Sequence, residues 1–370
     1  MYIWQLSDWP AFKWDNARLL APLAAARLKQ GRLLGGMGRF GFDLKLETQL
    51  VALTEDVVKT SEIEGEVLDR HSVRSSLARR LGVPDAAVAA IDRRADGVVE
   101  MMLDATENYL APLDDKRLFR WQAALFPTGF TGLFDVHTGA WRDDAQGPMQ
   151  VVSGPIGRQR VHFEAPPAAR LPGDVGRFLE WFNAHADCDG LLKAAVAHLW
   201  FVTLHPFDDG NGRVARAIAD LALARSESSG QRFYSMSSQI RKERSDYYDI
   251  LEQTQQGSLD ITEWLMWFLG CFTRALDGAE TLIAEVAHKA DFWQRYAGKS
   301  FTERQQRVLN RYLDGFEGKL TARKWAAIGK CSLPTAQRDI AALVEQGVLV
   351  RNAGGSKNTS YDLAAAAGGA

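Results

Sequence analysis

Twelve consecutive residues, His205-Pro206-Phe207-Asp208-Asp209-Gly210-Asn211-Gly212-Arg213-Val214-Ala215-Arg216, gather one imidazole, two carboxylates, a Gly-Asn-Gly turn and two guanidiniums. These are the side chains needed to hold a nucleoside triphosphate with its metal and to take the proton of an attacking hydroxyl. His205 is suited to accept a proton near neutral pH. Asp209 is a hard oxygen ligand for Mg²⁺, which takes only one or two protein carboxylates beside the phosphates. Arg213 and Arg216 can each fork onto phosphate oxygens. Glycines at 210 and 212 let the main chain come close to a ligand.

The flanking sequence must position these groups. Gly190–Leu204 is apolar nearly all round, with Lys193 its only charge, and reads as a buried helix that Pro206 ends. Val214, Ile218 and Leu221 fall at i, i+4 and i+7, so a second helix begins near Asn211. The glycine-rich turn therefore opens a helix, where free N–H groups and the dipole favour an anion. Arg213 and Arg216 share a face roughly 130° from the apolar stripe.

A second helical stripe runs through Leu50, Leu53, Val57, Thr60, Ser61, Glu64 and Leu68, with Glu64 in its middle. A carboxylate there must find a cation or hydrogen-bond donors, or stay protonated. Alternatively, Gly65 ends the helix and lets Glu64 reach water. Gln150–Val152 and Arg160–Phe163, separated by Ser153-Gly154-Pro155-Ile156-Gly157, read as a β-hairpin, either decoration or part of the site. His198 lies in the buried helix, where packing and hydrogen bonding suit it better than reaction. The adjacent Tyr247 and Tyr248 are of the type that fills cores and interfaces.

The twelve-residue segment resembles the signature of the Fic family, H-P-F-x-[D/E]-G-N-G-R-x-x-R, with every fixed position present. Members mostly transfer AMP from ATP to a Ser, Thr or Tyr hydroxyl of a protein, on an all-helical core. The resemblance makes His205 the general base and Asp209 the Mg²⁺ ligand. It makes Gly210, Asn211 and Gly212 the anion-binding turn, Arg213 the β-phosphate arginine and Arg216 the γ-phosphate arginine. Val214 and Ala215, between the arginines, join the ATP-binding set, as do Tyr248 beside the nucleotide and Gln255 facing the adenine. Thr60-Ser61-Glu62-Ile63-Glu64-Gly65 resembles the family's inhibitory motif [S/T]-x-x-x-E-[G/N], which implies a Glu64–Arg216 ion pair obstructing the γ-phosphate. In some relatives that glutamate also supports removal of AMP. The hairpin resembles the flap that docks the target peptide, so Val161, His162 and Phe163 would hold the acceptor hydroxyl near His205.

At 370 residues the chain has room for two or three domains, and a formal charge of −2 gives no global pull toward nucleic acid or anionic membrane. Cys188, Cys271 and Cys331 are scattered without metal-ligand spacing, the N-terminus lacks a leader pattern, and no apolar run is long enough for a bilayer. A soluble cytoplasmic protein with free thiols is expected. The expected fold class is mainly all-α: a Fic-type helical core with a short β-hairpin flap, a helical N-terminal extension and a C-terminal winged helix. Residues 1–100 would be the extension, with the inhibitory helix at about 50–68. Trp4, Trp9 and Trp14 would form a local aromatic core or a partner surface. Residues 110–285 would be the catalytic core and 300–363 the winged helix, with a disordered tail at 364–370.

Within the winged-helix segment, three helical stretches (301–313, 321–330, 334–346) precede a hairpin running from Val348 through Gly354-Gly355-Ser356 to Tyr361. Six Lys/Arg against Asp339 and Glu345 between Leu320 and Lys357 form a local +4. That charge suits DNA phosphates, with Arg338 and Lys357 as contacts, although such modules also bind protein.

The leading expectation is a self-inhibited protein adenylyltransferase using ATP and Mg²⁺, with pyrophosphate released. Its target is not specified by the sequence; self-modification, with Thr60 and Ser61 nearby, and homodimerisation both stay open. Alternatives on the same scaffold are UMP, phosphate or phosphocholine transfer, or de-AMPylation. A different class would be a DNA-binding regulator with a nucleotide-sensing core.

Overall fold

The computed structural model describes residues 1–38, 40–83, 92–132, 134–155, 157–185, 187–313, 315, 318–353 and 359–364. Gly354 to Lys357 of the expected hairpin and residues 365–370 of the expected tail lie outside them. Two compact units divide between Glu280 and Thr281. Among the described residues the structure is helical with three two-stranded antiparallel sheets.

The first unit begins with helices α1 (Asn16–Met37), α2 (Phe42–Ile63), α3 (Arg70–Leu81), α4 (Arg93–Glu107) and α5 (Asp115–Leu125). Two hairpins follow, β1 (Phe130–Thr131) with β2 (Phe134–Asp135), and β3 (Gln150–Ser153) with β4 (Arg160–Glu164). Then come α6 (Leu171–Asn183), α7 (Gly190–Leu204), α8 (Asn211–Glu227), α9 (Met236–Lys242), α10 (Arg244–Gln255) and α11 (Thr262–Arg295), which belongs to this unit as far as Glu280.

Helices α7 and α8 pack together at the centre. Every α7 residue from Leu191 to Leu204 is buried except Lys193, as its nearly unbroken apolar sequence requires. Helix α8 is buried from Arg213 to Ala224, although Arg213, Arg216 and Asp220 carry charge. Helix α11 covers α7, with Trp264 Nε1 donating to the Ala195 carbonyl at 2.9 Å.

Helix α2 packs on α8 and α9, and Asp56 on its buried face accepts from the Ser237 N–H at the start of α9 at 3.1 Å. Its course corrects the expected helix at 50–68. It starts earlier, at Phe42, and stops at Ile63, because Gly65 takes φ +83° and Glu66 N–H returns to the Ser61 carbonyl at 3.0 Å. Glu64 is thus the C-cap residue rather than a mid-helix one, and Leu68 lies beyond the helix. Helix α1 runs through Gly35 and Gly36 and ends at Met37, with Gly38 as its C-cap. Trp4 and Trp9 are buried, and Trp9, Phe12 and Trp200 meet edge to face at 5.2–6.3 Å, a local aromatic core.

The second unit contains α12 (Glu303–Leu313), α13 (Ala322–Gly329), α14 (Leu333–Glu345) and the pair β5 (Leu349–Arg351) with β6 (Tyr361–Leu363). Trp325, Leu309, Ile340, Leu343 and Val348 form its core. Asp339 accepts two bonds from Arg304, at 2.6 and 2.8 Å, and one from Trp325 Nε1 at 3.1 Å. Its charge is therefore already matched by an arginine outside the segment counted above. Arg338 is exposed.

Candidate active site

Pro206 cannot continue α7, and the chain leaves the helix at His205 in a left-handed conformation, φ 47° and ψ 54°. A β-carbon in that region costs roughly 1–2 kcal/mol, so the turn must be held from outside. Arg142 holds it: its Nε donates to the His205 carbonyl at 2.8 Å, and its main-chain N–H donates to the Pro206 carbonyl at 3.0 Å. The imidazole is half-buried, with Nδ1 3.2 Å from the Val202 carbonyl oxygen. Burial pushes its pKa down to about 4, the Arg142 charge adds to this, and the Val202 carbonyl, Glu64 and Asp209 oppose it. At neutral pH the ring is uncharged and able to accept a proton.

Asn211 closes the loop that follows. Its Oδ1 accepts from the Phe207 N–H at 2.9 Å and its Nδ2 donates to the Phe207 carbonyl at 2.8 Å. Phe207 fills the core beside Trp141 and Phe119. Gly210 is the N-cap of α8 at φ 90° and offers no side chain to the free N–H groups there. An anion is the natural occupant of such an end.

A carboxylate of the chain itself lies beside that end. A β-carbon placed on Gly212 would collide with Glu64 Oε1 and crowd Arg216 Nη1 at 3.2 Å. Glu64 Oε1 accepts from Arg216 Nη2 at 2.7 Å. Arg216 is also held by Thr60, through Oγ1 at 2.7 Å and the carbonyl at 3.0 Å. The Ile63 carbonyl at the end of α2 accepts from Arg244 Nε at 2.8 Å and from the Tyr248 hydroxyl at 3.4 Å. The end of α2 is therefore pinned at Thr60 and Ile63, just before Glu64.

A further carboxylate engages the other arginine: Glu66 Oε2 accepts from Arg213 Nη1 at 2.7 Å. Arg213 also lies over the Phe126 ring at 4.9 Å and is 3.9 Å from Asp209 Oδ1. Arg213 Nε and Arg216 Nη1 are buried without a hydrogen-bond partner among the described residues. Each guanidinium could thus bind more acceptor oxygen than it now has.

Asp209 is half-buried beside the same turn, Oδ1 accepting from the Gly210 N–H. Among the described residues no cluster of three metal-ligating side chains exists. A single carboxylate at an anion-binding helix end still suits Mg²⁺, which is held by one carboxylate together with phosphate oxygens.

The β3–β4 hairpin contains a bulge, since Val151 pairs Phe163 while Val152 pairs Val161, leaving His162 unpaired in the ladder. The bulge sends the His162 ring to Glu252 on α10, with Nδ1 2.6 Å from Oε2, while Gln256 donates to the His162 carbonyl at 2.8 Å. Val161 is exposed, whereas Phe163 is buried against Tyr2. Trp4 Nε1 donates to the Glu164 carbonyl at 2.7 Å, so the extreme N-terminal segment supports this hairpin.

The fold gathers His205, Asp209, Gly210, Asn211, Gly212, Arg213, Val214, Ala215, Arg216, Glu64 and Tyr248 around the start of α8, with Val214 and Ala215 fully buried. Gln255 is buried and donates to the Thr203 hydroxyl at 3.2 Å. His198 packs in the core, bonded to the Tyr247 hydroxyl at 2.9 Å, and burial lowers its pKa to about 3. Sequence reading missed Arg142, Glu66 and Arg244. Only Glu66 left a trace, in the alternation Glu62-Ile63-Glu64-Gly65-Glu66.

Residues 112–223 match the Fic/DOC family, and residues 2–83 match a domain of unknown function, DUF4172. The chain is similar to the protein adenylyltransferase Fic of Culex quinquefasciatus, 32% identical over 123 residues, covering 32% of this chain and 23% of that protein. It is also similar to the protein adenylyltransferase Fic of Drosophila willistoni, 30% identical over 135 residues, covering 34% and 25% respectively. The matches thus span about a quarter of the length of these relatives. A solved Fic family protein from Desulfovibrio desulfuricans aligns over 97% of this chain and 98% of that one, with TM-score 0.54 at 21% identity. A Fic domain-containing signaling protein from Bacteroides thetaiotaomicron aligns over 72% and 98%, with TM-score 0.51 at 17% identity. At these identities the two structures establish a shared fold.

Proposed function

The chain carries a Fic/DOC-family domain over residues 112–223, and on that premise we propose that it is a self-inhibited protein adenylyltransferase. The substrate hydroxyl attacks the α-phosphorus of ATP, a new P–O bond forms, the bond to the β-phosphate oxygen breaks, and pyrophosphate leaves. The hydroxyl proton passes to His205, whose ring is kept neutral by burial. Beside the bare turn at Gly210, Asn211 and Gly212 present main-chain N–H groups to the phosphates, and Arg213 and Arg216 neutralise the charge that moves onto the departing pyrophosphate. Asp209 would hold Mg²⁺, which when bound supplies further charge neutralisation at the phosphate oxygens.

The observation that carries this reading is the Glu64 carboxylate over Gly212, bonded to Arg216. A carboxylate oxygen occupies the position that the helix end and the arginine make suitable for a phosphate oxygen. ATP can bind productively only once that carboxylate has moved. The partial exposure of Glu64, 31% against 2% for Arg216, favours a plug that can be withdrawn toward solvent.

Glu64→Gly protein incubated with α-labelled ATP and Mg²⁺ tests the proposal. Label should accumulate on protein well above the parent chain and vanish when His205→Ala is added. Label that persists without His205, or no gain on removing Glu64, would overturn it.

A further inference from the structure

Arg142 belongs to no part of the twelve-residue segment, yet it is the side chain that grips the main chain of His205. Its side chain is fully buried, and each of its nitrogens is committed. Nε serves the His205 carbonyl at 2.8 Å, Nη2 serves the Pro166 carbonyl at 2.6 Å, and Nη1 serves Asp144 at 2.9 Å. Its own N–H serves the Pro206 carbonyl at 3.0 Å. Pro166 follows directly on Ala165, whose N–H continues the β3–β4 hairpin by reaching the Met149 carbonyl at 2.9 Å. One guanidinium thus ties the turn that presents the imidazole to the base of the hairpin beside it.

We propose that Arg142 is a positioning residue for His205, fixing the left-handed turn and its distance from the hairpin so that the imidazole meets an acceptor hydroxyl held there. The planar fork serves the His205 carbonyl, the Pro166 carbonyl and Asp144 at once, whereas a lysine offers one charged point rather than a fork. The carbonyl of a residue in the left-handed region has no helical partner, and a buried carbonyl without a donor is costly. Loss of the fork therefore lets the turn relax toward a conformation that carries the imidazole off line. The inference rests on the reading of His205 as the proton acceptor.

The charge of Arg142 has a separate consequence. The groups acting on the ring are Arg142, which disfavours its protonation, and Glu64, Asp209 and the Val202 carbonyl, which favour it. Removing the guanidinium should move the acid limb of activity to higher pH, while a lysine should leave that limb nearly in place.

The test uses full-length Glu64→Gly protein as parent, with Arg142→Gln and Arg142→Lys added separately. Labelling from α-labelled ATP is followed against pH and ATP concentration, with thermal unfolding as the folding check. Both variants should lose about 10²-fold in kcat, the size expected for a displacement near 1 Å, with KM for ATP changed less than about threefold. Only Arg142→Gln should shift the acid limb upward. If Arg142→Gln does not fold, Arg142→Lys decides alone. Retention of kcat within about threefold by the folded variants, or a loss confined to KM, would overturn the proposal. A parent that labels nothing, or labels equally well without His205, would instead refute the assignment of His205, a result distinguishable from the first.

Discussion

Glu66→Gln isolates the contact that sequence reading did not anticipate. In the structure Glu66 Oε2 lies 2.7 Å from Arg213 Nη1, with the arginine side chain 5% exposed and the glutamate 26% exposed. A hydrogen bond to a charged group is worth about 1.5–3 kcal/mol, and a quarter-exposed carboxylate falls at the lower end because water screens it. About 1.5 kcal/mol corresponds to roughly tenfold in affinity. Glu66 competes with a phosphate for the Arg213 charge, so removing the carboxylate charge should tighten ATP by up to that factor. Glutamine keeps the shape and removes the charge. Titration calorimetry with MgATP on His205→Ala protein, which cannot turn over, reads the affinity at fixed salt. The comparison is made with Glu64→Gly present, so that the first plug does not mask the second. Glu66→Gln should then lower Kd by up to about tenfold, and by a different factor when Glu64 is intact, because the two carboxylates sit two residues apart on one segment. An unchanged Kd in both backgrounds would refute a second plug, and a weakened one would mean that Glu66 preorganises Arg213 instead.

Asn211→Ala removes both bonds to Phe207 and leaves a buried N–H and carbonyl unpaired; a loss of about 2–4 kcal/mol in unfolding free energy is expected, and thermal or denaturant unfolding checks it. Gly212→Ala places a methyl against Glu64 Oε1 and within 3.2 Å of Arg216 Nη1; it should expel the carboxylate but also block phosphate, so ATP binding stays weak even with Glu64→Gly present. Tight nucleotide binding by that double variant would show the helix end to be roomier than drawn. With His205 lowered from 6.5 to about 4 by burial, the protonated, inactive form gains only as pH falls toward 4. The acid limb of kcat/KM in the Glu64→Gly protein should therefore lie well below pH 6, since loss of Glu64 removes a charge that favours protonation; a limb at 6.5 would contradict a buried imidazole.

Much of the fold could be read from the chain because periodicity and caps are local. The α7 boundaries, the start of α8 at Asn211 and the hairpin of Gln150–Val152 with Arg160–Phe163 follow from apolar spacing, one proline and a cluster of turn residues. The end of α2 was less legible. A single Gly65 in the left-handed region stopped the helix before Glu64, whereas the apolar stripe ran on to Leu68. A stripe reports which side faces inward, not whether the backbone continues.

The twelve residues from His205 to Arg216 by themselves indicated the type of chemistry, since an imidazole, a hard carboxylate, a bare helix start and two guanidiniums together supply a proton acceptor, a metal ligand and phosphate-binding groups. Beyond the Glu64–Arg216 pair that the resemblance already implied, tertiary structure decided which groups those residues meet. Arg142 is 63 residues from His205, Glu66 is 147 from Arg213 and Glu64 is 152 from Arg216. Ion pairs and carbonyl clamps across such separations depend on how α2, α8 and the hairpin pack, and that packing is set by the whole buried core rather than by any short run of residues.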